Sequence, residues 1–337
     1  MKSQETWTRI FGRGLRETLE KLPLDFRDLK EIRVRSGQPL YLWYQNREYT
    51  VGEDGRMEPS RFPGQAFPAE REKGPGRERE RREFSRRIVT EQELMETVEC
   101  MGNYSLYAFE DEIRQGFLTV RGGHRIGLAG KAVTEGQSIK TIRNISALNV
   151  RFAHQVRGCG EPVLPRLIKE GKLCHTLLIS PPGGGKTTLL RDLVRLLSDG
   201  YGGRPGASTA VVDERSEIAA CYQGVPQNDL GSRTDVLDGC PKALGLMMVI
   251  RTMTPAVAAV DEIGGREDLQ AVEYAAGCGC SVLATVHGSS LEDVRRKPAF
   301  RELLDEGIFE RFVVLGTIEK AGTVKAVLDE EGNEVAI

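Results

Sequence analysis

No apolar run in this chain approaches the roughly 18–20 residues that a membrane-spanning helix needs. The opening stretch, MKSQETWTRIFGRGLRETLEKL, also lacks the apolar core of a secretory signal. An excess of charge of one sign is missing too. The chain has 47 basic and 49 acidic residues, for a formal charge of −2. So balanced a sequence carries no global electrostatic footprint for nucleic acid, and only a local patch stays open. Paired cysteine spacing is absent. The seven cysteines stand at 100, 159, 174, 221, 240, 278 and 280, an odd set that argues against a disulfide framework and for a reducing cytoplasm. Cys278 and Cys280 form a C-x-C pair with no second pair at metal-ligand spacing, and read as small buried residues near a strand. What is present, 28% charged and 39% hydrophobic residues in 337, fits a soluble globular chain long enough for two domains.

The amino-terminal segment has helical periodicity. Trp7, Ile10, Phe11, Leu15, Leu19 and Leu22 share one face, with Arg9, Arg13, Arg16 and Lys21 on or near the other. Such a basic amphipathic helix can touch a membrane surface or a partner; packing on its own domain is the preferred reading. In EIRVRSGQPLYLWYQNREYTV, Ile32 and Val34 alternate with charged residues. Ser36–Pro39 supplies a turn and Leu40–Tyr44 a second strand, which makes a hairpin. Residues 53–87 change character, and 71–87 carry eight basic and four acidic residues with almost nothing apolar. They read as a mobile charged insertion. Residues 90–110 look helical, and 121–133 and 144–154 look like strands. Beyond RGCGEPVLP the pattern becomes strand, loop, helix, repeated, as in an α/β domain with a largely parallel sheet. The expected division is an α+β amino-terminal domain, 1–158, and an α/β domain, 159–337.

The second domain opens with a strand, Thr176–Ile179, that runs into Ser180-Pro181-Pro182-Gly183-Gly184-Gly185-Lys186-Thr187-Thr188 and then into LLRDLVRLL. Strand, glycine-rich loop and helix in that order form the context of a phosphate-binding loop. Glycines let backbone N–H groups turn inward, and the helix start adds its positive end. Lys186 would reach the β- and γ-phosphates of ATP and the Thr187 hydroxyl would ligate Mg²⁺. Ser180 stands where the common pattern has its first glycine. A second strand, 209–213, ends in Asp213-Glu214, placed equally well for Mg²⁺ or water and for a helix start. A third, apolar to Val260, ends in Asp261-Glu262. There the aspartate can hold the Mg²⁺ shell while the glutamate activates the attacking water. A fourth, 281–287, ends in His287, which could sense the γ-phosphate or simply fill a turn.

In this order (phosphate loop, Asp213-Glu214, Arg251 before Thr-Met-Thr-Pro, Asp261-Glu262-Ile263, Thr285-Val286-His287-Gly288) the chain resembles the secretion and pilus-retraction ATPase superfamily. More narrowly, IRNISALNVRFAHQVRG, PPGGGKTTLLRDLVR, VVDERSEIAA, GVPQNDLGSRTDVLDGCPK and AVDEIGGREDLQAV are similar to the stage III sporulation protein AA family. The resemblance implies a RecA-like P-loop ATPase core behind a smaller α+β domain. It implies Glu262, Glu214, His287 and Arg251 as catalytic residues, 180–188 as the ATP site, and Thr187 and Asp261 as Mg²⁺ ligands. Asp261 stands where these ATPases often have glycine. The implied protein is a cytoplasmic hexamer, peripheral to membrane-embedded channel components, that powers a channel between mother cell and forespore. Ring ATPases complete a site with arginines from a mobile or neighbouring domain, and Arg125, Arg143 and Arg151 are the candidates for approach to the γ-phosphate. The rival reading is a nucleotide-gated nucleic-acid binder using the 71–87 patch, whose affinity would fall steeply with salt. A scaffold that holds ATP without turnover is a third, against which an intact Glu262 argues.

Overall fold

The computed structural model describes residues 7–60, 84–102, 116–136, 138–316 and 323–336. The chain divides into two compact units, Met1–His154 and Gln155–Ile337.

The first unit is built on a seven-stranded antiparallel sheet in the order β4-β3-β2-β1-β7-β6-β5. Its strands are β1 (Leu29–Arg35), β2 (Tyr41–Tyr44), β3 (Arg47–Val51), β4 (Met57–Pro59), β5 (Phe117–Val120), β6 (His124–Glu135) and β7 (Ser138–Arg151). The expected 32–44 hairpin is the β1–β2 pair, with Ile32 opposite Leu42. The amino-terminal segment packs on its own unit: Trp7, Phe11, Leu15, Leu19 and Leu22 are buried. It is not one helix, however. A 3-10 turn, Thr8–Ile10, precedes α1 (Arg13–Glu20), and the break falls at Gly12. There a Cβ would stand 2.8 Å from Glu96 Cβ, and the Gly12 N–H donates to Thr97 Oγ1 at 3.0 Å. Close approach of α2 (Glu91–Met101) therefore sets the break. Helix α2 starts with a Thr90–Glu93 capping box; of the 90–110 stretch expected to be helical, 103–110 lie outside the described residues.

The expected insertion 53–87 is smaller than the sequence suggests. Residues 57–59 form β4, and Arg87 N–H donates to Val51 O at 2.8 Å while Glu53 N–H donates to Ser85 O at 2.9 Å. Both ends of the segment are thus tied into the sheet by backbone bonds that composition does not reveal. Residues 61–83, and with them most of the basic patch, lie outside the described residues.

The second unit is a three-layer α/β/α structure. Its seven-stranded sheet runs β12-β11-β13-β14-β10-β15-β16 and is parallel except for the β15–β16 edge. The strands are β10 (Thr176–Ser180), β11 (Thr209–Asp213), β12 (Thr234–Asp238), β13 (Val257–Val260), β14 (Ser281–His287), β15 (Arg311–Leu315) and β16 (Val324–Leu328); β8 (Ile168–Lys169) and β9 (Lys172–Leu173) form a separate small hairpin. Central strands here are apolar on both faces, as burial on two sides requires. Strand alternation sends Leu177, Ile179, Val212, Val260 and Val286 to one face. There they meet α4 (Lys242–Met253), α5 (Arg266–Gly277), α6 (Leu291–Arg295) and α7 (Pro298–Asp305). Leu178, Val211, Ala259, Leu283 and Val313 face the other way, onto α3 (Lys186–Asp199). Cys280 is buried, its thiol pushed up to about 11 by desolvation, but Cys278 is exposed at the end of α5 rather than in the core.

Candidate functional site

In a parallel sheet the carboxyl ends of the strands open onto the ligand crevice. Ser180, Asp213, Val260 with Asp261-Glu262, and His287 all lie at that edge, because β10, β11, β13 and β14 are adjacent and in register: Ser180 pairs with His287 and Val260 with Ala284.

The loop from Ser180 into α3 is shaped by its glycines. Gly183 and Gly185 have φ of 75° and 93°, in the left-handed region that costs other residues about 1–2 kcal/mol. At Gly184 a Cβ would lie 2.4 Å from Ser180 Oγ and 3.2 Å from the Gly316 carbonyl oxygen. The serine in the first-glycine position is thereby explained. Ser180 is fully buried at the end of β10, and its hydroxyl, donating to Pro181 O at 2.9 Å, fills the space beneath Gly184. Gly185 caps α3 and, having no side chain, makes no side-chain cap hydrogen bond to the first turn. A cradle in which side-chain volume is excluded, with orphan N–H donors and a lysine, fits a phosphate group.

Lys186 crosses the crevice. Its Nζ is 3.3 Å from Glu262 Oε2 and 3.3 Å from His287 Nε2, and His287 Nε2 is 3.1 Å from the same carboxylate oxygen. Burial alone would raise the Glu262 carboxyl, but Lys186, His287 and Arg215 outweigh it and hold the group below its ordinary range. His287 Nδ1 is buried without a hydrogen-bond partner among the described residues.

Asp261 and Glu262 point apart, as successive side chains do. Asp261 turns inward: its Oδ1 accepts from Thr285 Oγ1 and from the Glu262 N–H, both at 3.0 Å, and the Thr285 hydroxyl also accepts from that N–H at 2.9 Å. Its Oδ2 and the Thr187 hydroxyl have no protein partner among the described residues. Each is a hard oxygen of the kind a divalent cation takes, but among the described residues no group of three or more His, Cys, Asp or Glu side chains is gathered to hold one.

Asp213 and Glu214 part company. Asp213 is fully buried, and its two oxygens accept from the N–H groups of Glu217, Ile218 and Ala219 at 2.8, 3.0 and 2.8 Å. Desolvation pushes it up to about 6 even against those donors. Asp213 therefore builds the turn and does not face a ligand. Glu214 points into the crevice, in direct contact with the Lys242 ammonium. Together with Arg215, Glu217, Asp261 and Glu262, this pair lines a cleft of about 70 Å³.

Arg251 is not brought to this place. Helix α4 starts beside Glu214 and runs back to the amino end of β13, so Arg251 lies roughly 13 Å of helix from Lys242. It is exposed, donating to the Tyr274 hydroxyl at 3.3 Å with its guanidinium 5.6 Å from that ring. The family resemblance implied it as a site residue, but the helix axis carries it to the amino ends of the strands, away from the crevice. Arg125, Arg143 and Arg151 lie on the β6–β7 pair of the first unit, Arg125 over the Phe117 ring at 4.1 Å. Sequence reading gave no role of their own to Thr285, which it saw only within the His287 motif, or to Arg215, and it missed Lys242. Lys242 carries a weak signal, a basic residue in the unfavourable first turn of a helix.

Comparison with known proteins agrees with this architecture. The pilus retraction motor PilT, solved with bound ADP, is similar in fold, with a TM-score of 0.55 at 13% identity, over 93% of this chain and 80% of that one. The ATPase DotB of Legionella pneumophila has a TM-score of 0.51 at 13% identity, over 89% of this chain and 74% of its own. At that identity the likeness establishes the fold, a RecA-like P-loop ATPase core. In sequence, the chain is 48% identical over 233 residues to the stage III sporulation protein AA of Bacillus subtilis (strain 168), covering 69% of this chain and 76% of the relative. The family described as sporulation stage III, protein AA matches residues 76–335, and the chain belongs to it.

Proposed function

We propose that this chain hydrolyses Mg-ATP, and that turnover drives a secretion-like channel apparatus between mother cell and forespore. The observation that carries the reading is the convergence of Lys186, from a glycine-rich loop, on Glu262 and His287, from two other strand ends, within 3.3 Å. Membership of a sporulation family and the fold shared with a retraction motor solved with bound ADP support it.

The residues divide the work. Backbone N–H groups of 183–188 and the Lys186 ammonium bind the phosphates of the substrate. Thr187 and Asp261 would hold Mg²⁺, which supplies positive charge to the phosphate oxygens when bound. Lys186 and Glu262 neutralise each other in the absence of ligand. Once Lys186 turns to the phosphates, the Glu262 carboxylate is free to orient a water and accept its proton at Oε2. His287, in contact with both, links the occupancy of the phosphate site to the β14 end. Thr285 holds Glu262 at its backbone. The same reading has the chain work in a ring of six subunits attached peripherally to membrane-embedded partners. No helix among the described residues is long and apolar enough to cross a membrane.

The test is phosphate release by the full chain with and without Mg²⁺, alongside mass in solution with and without ATP. Turnover that needs Mg²⁺ and is lost in Lys186→Ala supports the proposal. A folded wild type that neither binds a fluorescent ATP analogue nor releases phosphate, alone or with its membrane partners, overturns it.

A further inference from the structure

Two lysine–glutamate pairs lie at the carboxyl edge of the second unit's sheet. One, Lys186 with Glu262, belongs to the reading above. The other, Lys242 with Glu214, has no role in it. Both members of the second pair line the cleft, whose walls bring together four carboxylates (Glu214, Glu217, Asp261, Glu262) and two cations (Arg215, Lys242). An anionic ligand entering such a place meets a surplus of like charge. Asp261 is partly discharged by the Thr285 hydroxyl and a backbone N–H. Glu214, whose side chain is 37% exposed, is held by Lys242, whose side chain is 12% exposed.

The spacing of this pair is set by rigid elements. Lys242 is the first residue of α4 and Glu214 follows directly on β11. The helix lies against the strand at Gly245, where a Cβ would come within 2.4 Å of Val212 Cγ1, and the Gly239 N–H donates to Asp213 O at 2.9 Å. The ammonium is thus presented to Glu214 by the backbone and not by a chance surface rotamer.

We propose that Lys242 is a positioning residue for nucleotide binding. By pairing with Glu214 it removes one carboxylate from repulsion with the incoming phosphates and leaves Glu262 as the base. The inference rests on the hydrolase reading and makes predictions of opposite sign for the two partners. Removing the lysine exposes a carboxylate to the phosphates; removing the carboxylate's charge turns the lysine toward them.

The experiment measures affinity of the full chain for a fluorescent ATP analogue in the presence of Mg²⁺, with thermal unfolding of each variant as control. Lys242→Ala should weaken binding on the order of tenfold, and Lys242→Arg should restore it to within about twofold of wild type. Glu214→Gln should tighten binding by roughly threefold or more, and the double variant should return close to wild type. A merely structural pair would weaken binding in both single variants. Wild type that binds, with Lys242→Ala and Glu214→Gln shifting the same way or not at all, overturns this inference and leaves the hydrolase reading standing. Wild type that binds no nucleotide overturns both.

Discussion

Glu262 and Glu214 end adjacent strands, yet their surroundings assign them different work. Glu262 shares one oxygen with Lys186 and His287, both of which a phosphate can draw away, whereas Glu214 is committed to Lys242. Glu262→Gln keeps shape and hydrogen bonding while removing the accepting charge. It should bind ATP about as tightly as wild type and hydrolyse it at least about a hundredfold more slowly in single turnover. Glu214→Gln should keep its single-turnover rate; a dead Glu214→Gln beside a normal Glu262→Gln would move the base to Glu214. Thr285 is the residue on which this placement depends, since one hydroxyl serves Asp261 and the Glu262 backbone. Thr285→Val removes one of the two hydrogen bonds at Asp261 Oδ1 and one of the two at the Glu262 N–H, leaving those groups only to each other. It should cost roughly 1–3 kcal/mol in denaturant unfolding and lower turnover about tenfold or more through a displaced Glu262. Unchanged turnover in a destabilised Thr285→Val would confine the hydroxyl to a structural part.

At the scale of elements, the loop between β10 and α3 is constrained from two sides. Backbone conformation demands glycine at 183 and 185, and steric approach demands it at 184, where Ser180 Oγ and the Gly316 carbonyl leave no room. Gly184→Ala must displace the loop. We expect affinity for the ATP analogue to fall about tenfold or more, with the core intact, because the strain falls on a loop and not on α3 or the sheet. Native-like circular dichroism with lost binding is the expected outcome, and Gly184→Ala that binds normally would show that the loop adapts. Ser180→Gly is the converse case. It removes the group beneath Gly184 and gives the common pattern, yet should not improve binding, since it empties a filled site.

At the scale of the molecule, the two units carry buried titratable groups that respond to acid in opposite senses. In the first unit His124 lies in an aromatic cluster with Phe26 and Phe152 and accepts the Ala153 N–H on Nδ1 at 3.3 Å. Desolvation lowers it to about 4, with His154 adding to the effect. Folded, it stays neutral where the unfolded chain is protonated, so the stability it contributes is present above about 6.5 and lost as pH falls toward 4. The loss is at most roughly 3 kcal/mol. In the second unit Asp213 is raised to about 6 from an ordinary value near 3.8. The folded state then holds the extra proton, so this group favours folding more at pH 4 than at pH 7, by a similar amount. Calorimetry between pH 7 and 4.5 should show two transitions drawing apart, the first unit's moving down and the second's holding. His124→Phe, which keeps the ring contacts without the titration, should flatten the shift of the lower one. Transitions that move together, or a His124→Phe chain with an unchanged shift, would place the pH dependence elsewhere.

The strands of the second unit, their order along the chain and the glycine-rich loop were legible in sequence because the forces behind them are local. Apolar runs such as Val257–Val260 must be buried on both faces, and three glycines before Lys-Thr-Thr permit one kind of turn. The same locality explains which residues the sequence could place at the crevice: each ends a strand, and parallel strands share an edge. What a side chain does at that edge is not local. Glu214 meets Lys242 across 28 positions, Lys186 meets Glu262 across 76 and His287 across 101. Asp213 is the local exception, turned inward by the N–H groups of the turn four to six residues on, whereas only the packing of α4 against β11 decided that its neighbour Glu214 faces Lys242 across the cleft. The same packing carried Arg251 to the amino ends of the strands. The break of the first helix at Gly12 and the tying of residues 53–60 and 84–87 into a sheet belong to the same class. Each follows from contact with residues distant in the chain, which no periodicity or composition encodes.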